Sequence, residues 1–293
     1  MQKISLTAIA NILSIGINAL LIILKLVIGF IFGSISLIAD GFDSVLDVIS
    51  ASIAGIGEKI SRKPPDHSHP FGHQKFQLIS SLIIAFTLFV SSYFIAQESI
   101  NRLIEGIPYE LEIWILVAAI ISFFTKLGIS LGLMNIGKKI KSTVFMANAK
   151  NYRTDAISSL FVIIAYLGGR FNVWWLDPAC AFVIVIFILF TGYEILKMSI
   201  PDLLDKGPSQ DIVDELKSTA LSYSEIKEVH IIRLRTILGQ YTGDFHILVN
   251  PALSIKEAHD ISEKVKEKLE LGGHFKDLVI HIEPYTPEEI LEG

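Results

Sequence analysis

Residues 39–50, ADGFDSVLDVIS, place the carboxylates of Asp40, Asp43 and Asp47 among residues that are mostly apolar. The segment lies within a hydrophobic stretch, 34–57, that is long enough to cross a bilayer as a helix. A carboxylate at the centre of a bilayer costs about 2.5–3.5 kcal/mol on insertion scales. These side chains must therefore face protein, water or a cation rather than lipid.

The composition of the whole chain indicates a membrane protein. Hydrophobic residues make up 51% of its 293 residues and charged residues only 19%, and the mean hydropathy is +0.54. These values lie outside the range of ordinary soluble domains. The single cysteine, Cys180, lies in an apolar run, which excludes both a disulfide framework and a thiolate metal cluster.

Six apolar stretches are each long enough to cross about 30 Å of hydrocarbon. Lys and Arg are concentrated in the connections at 58–75 and 137–153, so the positive-inside rule predicts that these loops and both termini are cytoplasmic. With short loops and no transit peptide, we expect a multi-pass protein of the bacterial inner (cell) membrane. The predicted spans are 5–32, 34–57, 76–100, 112–135, 144–168 and 174–198.

The composition changes after residue 205, where charged residues become frequent. We therefore predict a membrane domain over 1–205 and a cytosolic domain over 206–293. Ser254 and Glu257 form a capping-box pattern at the start of its second helix. The order α-β-β-α-β predicts an α+β domain with helices on a small sheet. Its elements are a helix at 209–222, strands at 229–234 and 244–250, a helix ending near 272, and a strand at 278–284.

Two pairs of polar residues have the same spacing of four in different spans. Asp43 and Asp47 share one face of the second helix, and Asn151 and Asp155 share one face of the fifth. If these helices pack together, three carboxylates and one amide form an all-oxygen ligand set suited to a divalent metal. Alternatively, each pair forms hydrogen bonds to neighbouring helices, as polar membrane residues often do.

The first predicted cytoplasmic loop, PPDHSHPFGHQKFQ (64–77), contains a cluster of metal-ligating residue types. Asp66, His69 and His73 lie close together in it, with His67 beside them, and a proline and a glycine prevent a regular helix. Carboxylate and imidazole are suitable ligands for a transition metal. The alternative is an ordinary solvated polar loop.

Together these motifs resemble the cation diffusion facilitator family, in its bacterial zinc, iron and manganese efflux branch. The shared features are six membrane helices, DxxxD in helix two, (H/D/N)xxxD in helix five, the loop signature PDxxHxFGHxK, and a cytosolic α-β-β-α-β domain of metallochaperone, ferredoxin-like type. The resemblance covers nearly the whole chain. It implies a transport site in the membrane, formed by Asp43, Asp47, Asn151 and Asp155. It also implies a second metal site in the loop, formed by Asp66, His69 and His73.

The resemblance also implies a homodimer with metal sites in its cytosolic domain. A charge pair that interlocks the two protomers matches Lys75 and Asp205. On the residues alone, a lone strand histidine is usually an ordinary surface or edge residue, but three of them in one small sheet favour a metal site. The sequence leaves two roles open for Asp40, a helix-start residue or an entrance charge. Lys126 either snorkels or contacts an acid in the helix bundle. His274 is not assigned a role. The implied cytosolic ligands are His230, His246, His259, His281 and Glu283.

Zinc-selective members of the family often have histidine at the position of Asn151. An amide oxygen there favours a harder ion, so we expect Mn²⁺, with Zn²⁺ or Fe²⁺ as the alternative because Zn²⁺ binds most such sites more tightly. Carboxylates must lose protons to hold a metal, so a site that opens alternately to each side exchanges metal for protons. The expected function is proton-coupled export from the cytoplasm.

A membrane metal sensor or dimer partner that does not transport is the alternative from another class. It predicts a degraded membrane site, whereas all four positions here hold oxygen ligands. The sequence contains no HExxH helix, Walker loop or Ser-His-Asp pattern, so no motif in it indicates an enzyme. We expect divalent cations, protons, lipid and a second copy of the chain as partners, no nucleic acid, and no cofactor beyond bound metal ions.

Overall fold

The computed structural model describes residues 6–106, 109–140 and 143–286. Both chain ends lie outside these residues, and with them the part of the chain to which the prediction of cytoplasmic termini applies. Each of the six predicted spans is a long helix. The helices are α1 (Leu6–Phe32), α2 (Ile35–Ser61), α3 (Lys75–Glu105), α4 (Ile113–Ile140), α5 (Thr143–Arg170) and α6 (Leu176–Leu203).

The six helices differ in how apolar they are. Within the described residues, three segments are long and apolar enough to cross a membrane: Lys75–Glu105, Ile113–Ile136 and Leu176–Leu203. Gly16–Phe32 of α1 is a shorter apolar helix. The helices α2 and α5, which carry the two polar pairs, are not among these segments, because their polar residues lower their hydropathy. Such helices need protein or water against their polar faces.

The chain divides into two compact units by its internal contacts. One comprises Met1–Ile56 and Ser80–Leu196, and the other comprises Gly57–Ile79 and Lys197–Gly293. In the first unit, α1 and α2 approach closely through glycines, since a Cβ on Gly41 would lie 2.6 Å from the Cδ2 atom of Leu26. Small residues commonly allow such close packing of membrane helices.

The first turn of α2 is capped by a carboxylate from α6. Asp177 accepts hydrogen bonds from the hydroxyls of Ser34 and Ser36, at 2.8 and 2.5 Å, and from the backbone N–H of Ile35 at 2.7 Å. All these groups are buried. The first N–H groups of a helix have no partner within the helix, so a buried helix start requires such an acceptor. Asp177 thereby anchors the start of α2.

The second unit contains the predicted α-β-β-α-β domain. Its elements are α7 (Gln210–Leu221), β1 (Ile226–Ile237), β2 (Gln240–Val249), α8 (Ile255–Leu271) and β3 (Phe275–Pro284). Strand β2 is central, antiparallel to β1 and parallel to β3. Alternate residues of β2, Phe245 and Ile247, enter a core with Val265 of α8. The predicted capping box of Ser254 and Glu257 is present at the start of α8.

Candidate metal sites

The membrane unit contains a cavity of about 480 Å³ between α1, α2, α4 and α5. Asp47, Asn151 and Asp155, three of the four predicted ligands, line it. The structure therefore brings the polar face of α2 and that of α5 to one space, which is the condition under which the two pairs can form one ligand set. The other lining residues are Asn18, Ser44, Val48, Ala51, Ser52, Lys126, Asn148 and Tyr152.

Asp43, the fourth predicted ligand, does not line this cavity. It lies one helical turn before Asp47, is half-buried, and interacts electrostatically with Asp155. The ligand oxygens of Asp43, Asp47 and Asp155 do not converge within 4.8 Å of one another. Asp155 instead forms an ion pair with Lys126, whose Nζ atom lies 3.2 Å from its Oδ2 atom.

Asp40 belongs to an adjoining buried group. Its Oδ2 atom lies 2.8 Å from the Nζ atom of Lys25 and accepts a hydrogen bond of 2.8 Å from the hydroxyl of Ser159. Lys25 and Asp40 are fully buried. A buried carboxylate needs a partner of opposite charge, and Lys25 supplies it. The sequence leaves Asp40 as either a helix-start residue or an entrance charge. This buried ion pair fits neither role.

The loop residues Asp66, His69 and His73 form a cluster. The Oδ2 atom of Asp66 lies 3.2 Å from the Nε2 atom of His73, and its Oδ1 atom lies 3.5 Å from the Nδ1 atom of His69. One ligand atom from each residue falls within 4.8 Å of the others. Three donors at this separation could bind one transition-metal ion after small side-chain rotations. His67 is exposed and lies outside the cluster.

A network of hydrogen bonds holds Asp66 in place. Its Oδ1 atom accepts hydrogen bonds from the hydroxyl and N–H of Ser68 and from the N–H of His69, at 2.7, 2.9 and 2.8 Å. The Ser68 hydroxyl, followed by the His69 N–H, lowers the pKa of Asp66 to about 2. The carboxylate is therefore ionised, and able to bind a cation, throughout the physiological pH range.

Three histidines form a row across the sheet of the cytosolic domain. His246 of β2 is paired with His230 of β1 on one side and with His281 of β3 on the other. Glu283 contacts all three, at 2.8 Å from His246, 3.1 Å from His230 and 3.3 Å from His281. The tightest group is His230, His246 and Glu283. Imidazoles around a shared carboxylate form a set that transition metals favour.

Two opposing effects determine the charge of Glu283. Burial raises its pKa, but the hydrogen bond from His246 and the nearby charges of His246 and His230 outweigh burial and hold the pKa below its usual value. The carboxylate is thus ionised where a metal would need it.

The structure does not bring His259 to this cluster within one protomer. His246 points away from the core that Phe245 and Ile247 form with α8, because successive strand residues face opposite sides. His259 lies on α8, on the helix-covered side of the sheet, and is exposed. His274 lies in the turn before β3, 3.0 Å from Glu215, and also outside the cluster.

Lys75 and Asp205 form an ion pair within the second unit, with Nζ and Oδ1 3.0 Å apart. Arg235 of β1 lies 3.5 Å from the other carboxylate oxygen and above the ring of Phe71. The hydrogen bond from Lys75, followed by the charges of Lys75 and Arg235, outweighs desolvation and lowers the pKa of Asp205. The network links the loop that carries His69 to β1.

Sequence reasoning missed several residues of these sites. Lys25 and Ser159 hold Asp40, Ser44 contacts Lys126, and Arg235 contacts Asp205. A signal existed for Lys25, because a lysine within an apolar membrane span generally faces a carboxylate or water. The serines carried no signal, since serine is common in membrane helices.

Comparisons with known proteins agree with this architecture. The family model of the cation efflux transmembrane domain matches residues 11–204, and that of the cation efflux protein cytoplasmic domain matches 208–285. An uncharacterized transporter of Methanocaldococcus jannaschii is 33% identical over 93% of this chain and 96% of its own. Two proteins of Bacillus subtilis are named manganese efflux system proteins: MneS, 30% identical over 92% of this chain and 93% of its own, and MneP, 28% identical over 92% and 94%.

Proposed function

Because the chain belongs to the cation efflux family of divalent metal transporters, also called cation diffusion facilitators, we propose that it exports Mn²⁺ from the cytoplasm in exchange for protons. The family is one of transporters and not of enzymes. The observation that carries the proposal is that Asp47, Asn151 and Asp155 line one cavity together. In this proposal Asp43 completes the transport site by rotating toward Asp47 when the ion binds.

The lining of the cavity supports an inward-facing state. With the C-terminal end of α2 and the N-terminal end of α5 on the cytoplasmic side, Ser52 lies nearer the cytoplasm than Asp47, and Asn148 lies nearer the cytoplasm than Asp155. On the outer side of the site, Lys25 and Asp40 are fully buried. A site that is open on one side and closed on the other fits alternating access. The proposal further places the protein in the cell membrane of a bacterium, with both termini cytoplasmic.

Three observations support Mn²⁺ as the preferred ion. The membrane ligands are carboxylates and an amide, and oxygen donors suit Mn²⁺ better than they suit Zn²⁺. Asn151 stands where zinc-selective members often carry histidine. Two similar proteins are named manganese efflux system proteins. Zn²⁺, or Fe²⁺, is the alternative substrate, because Zn²⁺ binds most ligand sets more tightly than Mn²⁺.

Proton exchange follows from the same carboxylates. A carboxylate that holds a metal must be ionised, so protons and metal compete for Asp47 and Asp155. When the site faces the outside, protons displace the ion. When it faces the cytoplasm again, the ion displaces the protons. The protein then uses the inward proton gradient to lower the cytoplasmic metal concentration.

The other two clusters have proposed roles outside the transport step. The sheet cluster around Glu283 senses cytoplasmic metal and favours the transporting state when loaded, and the loop cluster around Asp66 is a second binding site. The chain acts as a homodimer, in which the pair of Lys75 and Asp205 supports the interlock of the protomers. We place the boundary between the transport domain and the cytosolic domain near residue 205, between the family-model matches at 11–204 and 208–285.

Metal uptake into proteoliposomes with an imposed pH gradient tests the proposal. The wild type should transport Mn²⁺ in preference to Zn²⁺ and Fe²⁺, and uptake should stop when the gradient is dissipated. Asn151→His, which replaces an oxygen ligand by a nitrogen ligand, should shift the preference toward Zn²⁺. Binding of Mn²⁺ without any gradient-driven uptake would instead favour a metal sensor that does not transport.

A further inference from the structure

A buried lysine shares the cavity with the proposed metal ligands. Lys126 is 1% exposed, lines the same cavity as Asp47 and Asn151, and has its ammonium 3.2 Å from the Oδ2 atom of Asp155. Its ammonium also donates a hydrogen bond of 2.9 Å to the hydroxyl of Ser44 on α2. Lys126 of α4 therefore joins the same two helices, α2 and α5, that a bound metal ion would join.

The ammonium and a metal ion cannot both occupy these positions without strong repulsion. A metal ion lies about 2 Å from a carboxylate oxygen. On the Oδ2 atom of Asp155 it would lie at most about 5 Å from the Lys126 ammonium, which is itself 3.2 Å from that atom. Two cations so close, in an interior with little water to screen them, repel each other strongly.

We propose that Lys126 is the resident counter-cation of the transport site, which holds Asp155 when the site is empty and is displaced by the incoming metal. The inference rests on the proposed transport site and adds a specificity-determining residue to it. A divalent ion brings twice the charge of the ammonium that it replaces, so the exchange is favourable. A monovalent ion brings the same charge and gains nothing, so Lys126 excludes Na⁺ and K⁺.

The same competition also promotes release of the metal. An ammonium that returns to Asp155 takes a ligand from the metal ion, which weakens binding and accelerates dissociation. A transporter needs binding that is strong enough to load and weak enough to unload, and Lys126 shifts that balance toward unloading.

Lys25 does not have this position, although it is also a buried lysine of the membrane unit. It pairs with Asp40, which is not a proposed ligand, and it does not line the cavity. Both ammonium groups donate to the Ser44 hydroxyl, at 3.3 Å from Lys25 and 2.9 Å from Lys126, but each is paired with a different carboxylate. The displaceable cation is therefore Lys126.

The test uses the full-length protein with the loop and sheet clusters disabled by Asp66→Ala, His69→Ala, His246→Ala and Glu283→Ala. In this background, Lys126→Met and Lys126→Gln should bind Mn²⁺ more tightly by about tenfold or more in equilibrium dialysis. In proteoliposomes the same changes should lower both KM and kcat. Lys139→Met, which removes an exposed lysine from the same helix, should change neither.

A monovalent cation gives a second readout that a merely structural lysine would not affect. NaCl should inhibit Mn²⁺ uptake by the Lys126 variants more than choline chloride of equal ionic strength, while the wild type should respond to both salts alike. If the methionine variant does not accumulate, the glutamine variant, which keeps a polar contact to Ser44, carries the test.

Mn²⁺ binding that is unchanged or weaker in the neutral Lys126 variants would overturn the inference. Equal inhibition of these variants by both salts would also overturn it. Failure of the proposed transport function can be distinguished from failure of this inference. A wild type that binds Mn²⁺ but does not transport it still allows its Mn²⁺ affinity to be compared with that of the Lys126 variants.

Discussion

His246 and Glu283 lie on neighbouring parallel strands, with the Nδ1 atom of His246 2.8 Å from the Oε1 atom of Glu283. The same carboxylate reaches His230 and His281, so one side chain connects the whole histidine row. The strand register that aligns the three histidines therefore makes Glu283 the residue on which the cluster depends.

Glu283→Gln should weaken Zn²⁺ binding to this cluster by about tenfold or more, because loss of a supporting or ligating carboxylate typically costs that much. Zn²⁺ is the probe because an imidazole-rich site suits it. The measurement is competition with a fluorescent chelator on the full-length protein. His274→Ala, a histidine of the same domain outside the cluster, serves as control and should leave the affinity unchanged. Equal effects of the two substitutions would contradict the assignment.

Asp177→Asn should destabilise the membrane unit by about 2–4 kcal/mol, because a neutral amide cannot accept all the hydrogen bonds that the start of α2 donates. The temperature of thermal unfolding in detergent should fall by about 5–10 °C. Asp202→Asn, in the same helix, should have little effect. An unchanged unfolding temperature for Asp177→Asn would show that the cap contributes little.

The pKa of Asp66 should rise in Ser68→Ala, because the Ser68 hydroxyl is the main cause of its low value. In the folded protein the pKa is about 2, below the ordinary value of 3.8. Ionised Asp66 therefore stabilises the loop above about pH 4, and this contribution is lost as the pH falls toward 2. Carboxyl ¹³C NMR with labelled aspartate measures the midpoint.

If Asp66 titrated at the wild-type midpoint in Ser68→Ala, the role assigned to the Ser68 hydroxyl would be contradicted. Ser224→Ala, which removes a hydroxyl that donates to Glu225 instead, should not change the titration of Asp66.

Much of the fold could be predicted because it depends on local pattern. The six apolar stretches determine the six long helices, and the Ser254 and Glu257 capping box marks the start of α8. The spacing of four within each polar pair places Asp43 near Asp47, and Asn151 near Asp155, whatever the rest of the chain does.

The contacts between helices could not be predicted, because helix rotation depends on side-chain packing that residue spacing does not reveal. The ion pairs of Lys126 with Asp155 and of Lys25 with Asp40 belong to this class. The position of His259 could not be predicted for the same reason, since only the packing of α8 decides which side of the sheet it occupies. The spacing within the loop did not reveal that residues 57–79 group with the C-terminal unit.

The central claim is that Asp47 of α2 and Asp155 of α5 hold one metal ion together. A double-mutant cycle tests it most directly, by Mn²⁺ binding in the background without the loop and sheet clusters, for Asp47→Ala, Asp155→Ala and both together. If one ion is shared, each single substitution should remove most of the binding and the double substitution should add little. Additive losses, or retained binding in either single variant, would contradict the account.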